Sequence, residues 1–208
     1  MTTPFTNPKA NWEQRFATEE FIFGEAVNEY LKANSHFLKP GNALAIADGE
    51  GRNSVWLAGQ GWQVDAFDFA ENAIEKAKLL AQKNQVEVNF VCSDWQSFDW
   101  KNEYYDNLVG IFFQFVNPAD RALLFAKMDA CLKPGGCMLI QGYTAEQLTF
   151  NTGGPGMLSH MYDTDLMKQL LSGYEFLDLK TYTAEINEGK AHKGRSGLLG
   201  LVAIKPMK

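Results

Sequence analysis

At 208 residues the chain has single-domain length, and 46% hydrophobic against 21% charged residues is an ordinary globular composition. A formal net charge of −6 argues against a nucleic-acid partner, because phosphate backbones select basic surfaces. Met1 to Phe16 lacks an apolar signal-peptide core and Leu198 to Ile204 is too short to cross a bilayer, so no membrane association is expected.

The predicted elements alternate. Ala43 to Ala47 is a short apolar strand that ends at Gly49 and Gly51, and the helical pattern after it carries Val55, Leu57 and Ala58 until Gly59 and Gly61 stop it. Val64 to Phe69 reads as a second strand. Asn72 to Asn84 reads as an amphipathic helix with Ala73, Ala77, Leu80 and Ala81 on one face. Val86, Val88 and Phe90 alternate as a third strand does. Leu108 to Phe113 reads as a strand buried on both faces, and Ala122 to Leu132 as a helix broken by Lys133-Pro134-Gly135-Gly136. Cys137 to Tyr143 is the fifth strand. A glycine-rich loop (Gly153, Gly154, Gly156) leads to a helix over Asp163 to Leu171. Glu175 to Ile186 and Leu198 to Lys205 then form an antiparallel hairpin joined by the turn-rich stretch Asn187 to Gly197.

This alternation predicts an α/β fold, Rossmann-like and doubly wound, with a mostly parallel seven-stranded sheet and helices on both faces. We expect one domain over 1–208, with 1–40 as an N-terminal helical lid or cap. Cys92, Cys131 and Cys137 have no Cys-x-x-Cys spacing and read as free thiols of a reducing, cytoplasmic compartment. The pattern is compatible with a monomer or a homodimer.

Ligands of open parallel sheets sit at the carboxyl ends of the strands, near the point where strand order reverses. There the first strand ends in Asp48-Gly49-Glu50-Gly51-Arg52-Asn53. Glycines at this place permit close backbone approach, and the following helix N-terminus offers free amides. A tight structural turn is the competing reading of the glycines alone. Asp68 at the end of the second strand suits both hydroxyls of a ribose, and Ser93-Asp94-Trp95 follows the third. A dinucleotide fingerprint wants a third glycine where Ser54 stands, so a mononucleoside cofactor is favoured.

In these segments, and in Asn11-Trp12-Glu13-Gln14-Arg15-Phe16, Leu132-Lys133-Pro134-Gly135-Gly136, Gly153-Gly154-Pro155 and Glu188 to Arg195, the sequence resembles the class I S-adenosylmethionine-dependent methyltransferases. It is similar in pattern to their tellurite-resistance and thiopurine methyltransferase-like branch. The resemblance implies S-adenosylmethionine as cofactor and a small-molecule acceptor, with a soft sulfur, selenium or tellurium atom as one option. It also implies that Gly49 and Gly51 meet the methionine portion, with Asp48 a candidate acidic contact there, that Asp68 meets the ribose, and that Asn53 and Phe69 are among the cofactor-binding residues. Asp94 and Trp95 would hold the adenine, and Gly110, Ile111 and Phe112 would lie beside the sulfonium. Core packing is the plain alternative for Trp95. Such families often have Asp-x-Gly-x-Gly-x-Gly in the first loop, but here Ala45 takes the place of the acid and Ala47 that of the first glycine.

Methyl transfer needs alignment, exclusion of water and, for some acceptors, a base. None of that calls for a metal, and His36, His160 and His192 show no metal-ligand spacing. Trp12, Phe16, Phe21 and Phe23 could wall a sulfonium as a lid, or could simply be core aromatics of a capping helix. In the loop expected at its end, His192 is the candidate base and Arg195 the candidate anchor for an anionic acceptor; a solvated turn is the alternative. Tyr143 and Gln147 are further pocket candidates. Two other function classes stay open: a non-catalytic module that binds S-adenosylmethionine, kept in play by Ala45 and Ala47, and a nucleotide-dependent oxidoreductase.

Overall fold

The computed structural model describes residues 8–207. The first half contains α1 (Pro8–Phe16), α2 (Glu29–Asn34), β1 (Asn42–Ile46), α3 (Arg52–Gly59), β2 (Gln63–Asp68), α4 (Glu71–Asn84) and β3 (Asn89–Cys92). The second half contains β4 (Tyr105–Ile111), α5 (Pro118–Cys131), β5 (Leu132–Tyr143), α6 (Gln147–Phe150), α7 (Thr164–Leu170), β6 (Glu175–Glu188) and β7 (His192–Ile204).

All seven strands share one sheet in the order β3-β2-β1-β4-β5-β7-β6. Pairing is parallel from β3 through β5, while β7 runs antiparallel to both β5 and β6. Strand order reverses between β1 and β4, which opens a crevice at their carboxyl ends. The two sheet faces bury separate apolar layers. One includes Leu44, Leu108, Phe113 and Ile140, and the other Ala43, Val109, Leu139 and Val202. Alternate residues of β1 and β4 thus serve opposite layers, as the pleat requires. Each fully buried Leu or Ile among them contributes about 1.5–3 kcal/mol relative to exposure.

Helix starts are held by side chains. Asn117 accepts from the Asp120 amide at α5, with Pro118 beginning the helix, and Asp163 accepts from the Leu166 amide at α7. At α4 the cap is supplied from a distance. Glu13, on α1, accepts from the amides of Glu71 at 2.7 Å and Asn72 at 3.1 Å.

Several expected boundaries shift, among them β4, which runs Tyr105–Ile111, and α5, which begins at Pro118. The third strand begins at Asn89 rather than Val86, because the Val86 amide bonds back to Ala81 and finishes the turn out of α4. The fifth begins at Leu132, with Lys133 to Gly136 bulging between the pairs Tyr105–Leu132 and Asn107–Cys137, where Gly135 and Gly136 bond to Lys205. The last strand begins at His192 rather than Leu198. Its pairing with β6 continues to Glu188–His192, so only Gly189-Lys190-Ala191 form the turn. The segment carrying His192 and Arg195 is therefore strand, not loop. Among the described residues, no helix is long and apolar enough to cross a membrane.

Candidate active site

The turn from β1 into α3 follows a left-handed path at Ala47 (φ 47°), Gly49 (φ 60°) and Gly51 (φ 86°). An alanine in that region is strained by about 1–2 kcal/mol, a conformation that the glycines adopt freely. The two glycines do different work. Gly49 faces the cavity at the strand ends. A Cβ on Gly51 would come within 2.7 Å of the Ala77 Cβ and 2.9 Å of its Cα, so Gly51 lets α4 pack against the start of α3.

Two carboxylates converge on this cavity. Asp68 accepts from the amides of Gly49 and Ala70, each at 3.0 Å, and burial pushes its pKa up to about 6. The Ser54 hydroxyl donates to Asp48 Oδ2, while Asp48 Oδ1 is buried with no hydrogen-bond partner. Burial first, and the nearby Asp68 charge second, push Asp48 up to about 7, against the Ser54 bond. An unsatisfied carboxylate oxygen at a cavity wall is a place for a cationic donor.

Over the cavity lies the N-terminal segment. Trp12 stacks on Phe16 at 5.3 Å between ring centres, and Phe23 lies 6.0 Å and 6.2 Å from those two rings. The buried Glu50 holds this segment down. Its carboxylate accepts from the amides of Ile22 and Phe23, both at 3.2 Å, and pairs with Lys76 at 2.5 Å. Lys76 also donates to the Glu20 carbonyl at 2.6 Å. Sequence reasoning passed over this role, since a glutamate between two loop glycines gives no hint of a partner so far along the chain.

Beside the crevice lies a second compartment, and the two share lining residues that include Phe23, Phe112 and His192. His192 sits among rings, 4.5 Å from both Phe23 and Phe112 and 5.8 Å from Tyr143. Burial, then the positive charges of Arg52 and Arg15, hold its pKa down to about 3. The ring is thus neutral across the physiological range, with Nδ1 buried and unpartnered; the Tyr143 hydroxyl is likewise unpartnered. Gly153 and Gly154 lie against Tyr143, where added Cβ atoms would approach to 3.0 Å. Behind His192, Arg52 and Glu188 form a buried pair at 2.6 Å, and Asn28 bonds Glu188 at 2.8 Å and Gln141 at 2.6 Å. This network ties the N-terminal segment at Asn28 to α3, β5 and β6.

Of the residues singled out in the sequence, Trp12, Phe23, Asp48, Gly49, Asn53, Asp68, Phe69, Ile111, Phe112 and His192 all line the cavity. Asn53 does so while accepting from the Asn28 amide at 3.0 Å. Five others do not. Gly51 serves helix packing. Trp95 is buried in the core, because Asp94 accepts from the amides of Gln96 and Ser97 and closes a turn that leaves the indole inward. Asp94 itself is exposed in a neighbouring hollow that shares Phe69. Gly110 has the opposite parity to Val109 and Ile111, and faces Phe113. Arg195 is exposed, with its guanidinium 5.3 Å from the Phe150 ring; strand alternation sends it away from the side that His192 faces. Of the weaker candidates, Tyr143 lines the second compartment, whereas Gln147 braces the Gly197 amide and Thr152. Among the described residues, no three His, Cys, Asp or Glu side chains are grouped to hold a metal.

Residues 43–136, which carry the ends of β1, β2 and β4, match the family model for a methyltransferase domain. Several curated relatives align with the chain. A carboxy-S-adenosyl-L-methionine synthase of Shewanella loihica is 28% identical over 61% of this chain and 50% of its own length. A probable S-adenosyl-L-methionine-dependent methyltransferase, TehB, of Haemophilus influenzae is 26% identical over 75% of this chain and 52% of its own length. The chain thus spans about half the length of the curated relatives it matches. The solved structure of TehB from Haemophilus influenzae superposes with a TM-score of 0.71 at 20% identity, covering 95% of this chain and 66% of that one. In its strand order, its crevice between β1 and β4 and these matches, the chain is similar to S-adenosylmethionine-dependent methyltransferases, with residues 43–136 matching a methyltransferase domain.

Proposed function

We propose that this protein transfers the methyl group of S-adenosylmethionine to a small molecule held in the second compartment. One observation carries the reading: the pocket at the paired carboxylates, at the ends of β1 and β2, adjoins a second, ring-walled pocket, and Phe23, Phe112 and His192 line both. The residues present fit the cofactor. The unpartnered Asp48 Oδ1 suits its ammonium group and replaces the acid missing at Ala45. Asp68, with two amides already bound, keeps lone pairs for both ribose hydroxyls. Phe69 lies where the adenine ring would follow, and Asp94 borders it.

When bound, the cofactor supplies an electrophilic methyl group on a sulfonium. The chain's residues do the rest. Trp12, Phe16 and Phe23 cover the crevice and exclude water, and their faces attract a positive charge. Neutral His192 can take a proton at Nδ1 from an acidic acceptor, and a negative charge beside the ring raises its basicity. Aromatic walls favour a soft, polarisable acceptor atom such as sulfur or selenium. The covering segment is the lid of one domain, and the free thiols of Cys92, Cys131 and Cys137 fit the cytoplasm.

Incubation with methyl-labelled S-adenosylmethionine and a panel of thiols, selenite and tellurite tests the reading. We expect label in an acceptor and stoichiometric S-adenosylhomocysteine. Tight cofactor binding with no transfer to any acceptor would favour a non-catalytic binding module, and binding of NAD instead would favour an oxidoreductase.

A further inference from the structure

The polar inventory of the second compartment is one-sided. Arg15, in the last turn of α1, lines it with its guanidinium 4.5 Å from the Trp12 ring and 5.8 Å from that of Phe23. Among the described residues no carboxylate lines this compartment, and none pairs with Arg15 within 4.0 Å. The Tyr143 hydroxyl, buried there without a partner, can donate. The rest of the lining includes the rings of Trp12, Phe23, Phe69, Phe112 and Phe115, together with Asn11 and with Gln114, whose amide is taken up by the backbone of Tyr143 and His160.

We propose that the acceptor is an organic acid with a flat, unsaturated body, its anionic group held by Arg15 and its body stacked among these rings. The inference rests on the methyltransferase reading above and narrows its substrate class. A cationic amine would find no carboxylate to pair with. A compact inorganic oxyanion would find a single guanidinium, with no cluster of cations or amides to replace its hydration shell, and would leave the ring walls unused. A planar carboxylate uses both features, since the guanidinium fork matches its two oxygens. Because Arg15 rides on α1, the acceptor would also fasten the lid that covers it.

The test is calorimetric and needs no turnover. The full chain is first titrated with S-adenosylhomocysteine; failure at this step would remove the methyltransferase reading itself. The saturated complex is then titrated with a panel of aromatic carboxylates headed by benzoate, with the matched neutral benzyl alcohol, with benzylamine and with tellurite. We expect at least one aromatic carboxylate to bind about tenfold or more tighter than its neutral match, the scale of a charge-assisted hydrogen bond. Benzylamine and tellurite should bind more weakly. Arg15→Gln should erase the carboxylate advantage and leave the affinities for benzyl alcohol and S-adenosylhomocysteine unchanged, and Arg15→Lys should recover part of it. Tellurite or benzylamine binding more tightly than every carboxylate, no carboxylate advantage at all, or an advantage that survives Arg15→Gln would each overturn the proposal.

Discussion

Replacing Asp48 by Asn should make the ligand-free protein more stable and a poorer binder of cofactor. In the unfolded chain Asp48 ionises near 3.8, whereas the folded protein holds its proton up to about 7. Between those values the native state binds more protons than the unfolded one. Stability from this group is therefore fully present below 3.8, falls as pH rises, and is lost above about 7. At about 1.4 kcal/mol per unit, a shift of about three units sets a ceiling near 4 kcal/mol; water in the open cavity solvates the ionised form and brings the expected gain to about 1–2 kcal/mol. Asn keeps an oxygen for the Ser54 hydroxyl, so the turn itself is retained. Urea unfolding of both proteins should show the variant more stable near pH 8, with the gap closing toward pH 4. S-adenosylhomocysteine should bind about tenfold or more weakly to the variant, as for a lost charged hydrogen bond. The affinity of 5′-methylthioadenosine, which has no amino-acid portion, should not change. A variant that is less stable near pH 8, or that keeps its S-adenosylhomocysteine affinity, would refute the argument.

Gly51→Ala should destabilise the fold by about 2–4 kcal/mol in urea unfolding, from a left-handed alanine plus a clash with Ala77 that no rotamer change relieves. Glu50→Gln should uncouple the lid by breaking the pair with Lys76 and weakening the bonds from Ile22 and Phe23. Hydrogen exchange at those two amides should accelerate at least tenfold while the amides of β4 keep their protection. Arg195→Ala should alter neither S-adenosylhomocysteine affinity nor turnover appreciably, given its exposed place over Phe150; a large loss of turnover in steady-state assays would return it to the acceptor site.

The doubly wound architecture was legible because strand ends carry their own punctuation: Gly49 and Gly51 after β1, Asp68 closing β2, Pro118 at the start of α5. The carboxylates Asp48 and Asp68 could be placed at the crevice from strand register alone. Three misplacements share one cause, a side chain's direction. Trp95, Gly110 and Arg195 are each in the expected element, yet a turn or the pleat points them away from the cavity. The length of the terminal hairpin was hidden by Gly189, Gly194 and Gly197, which read as turn residues although only the first forms the turn. What was not legible at all is the long-range wiring. Glu13 capping α4, Glu50 pinning the Ile22 and Phe23 amides, and Arg52 paired with Glu188 join residues far apart in sequence. Local pattern carries no trace of such partners, because each needs the finished fold to exist.

A crystal structure of the complex with S-adenosylhomocysteine tests the central claim most directly. The account predicts its ammonium on Asp48 Oδ1, its ribose hydroxyls on Asp68 and its sulfur facing the compartment that holds His192. A ligand lodged elsewhere, or one whose sulfur points away from His192, Phe112 and Tyr143, would contradict it.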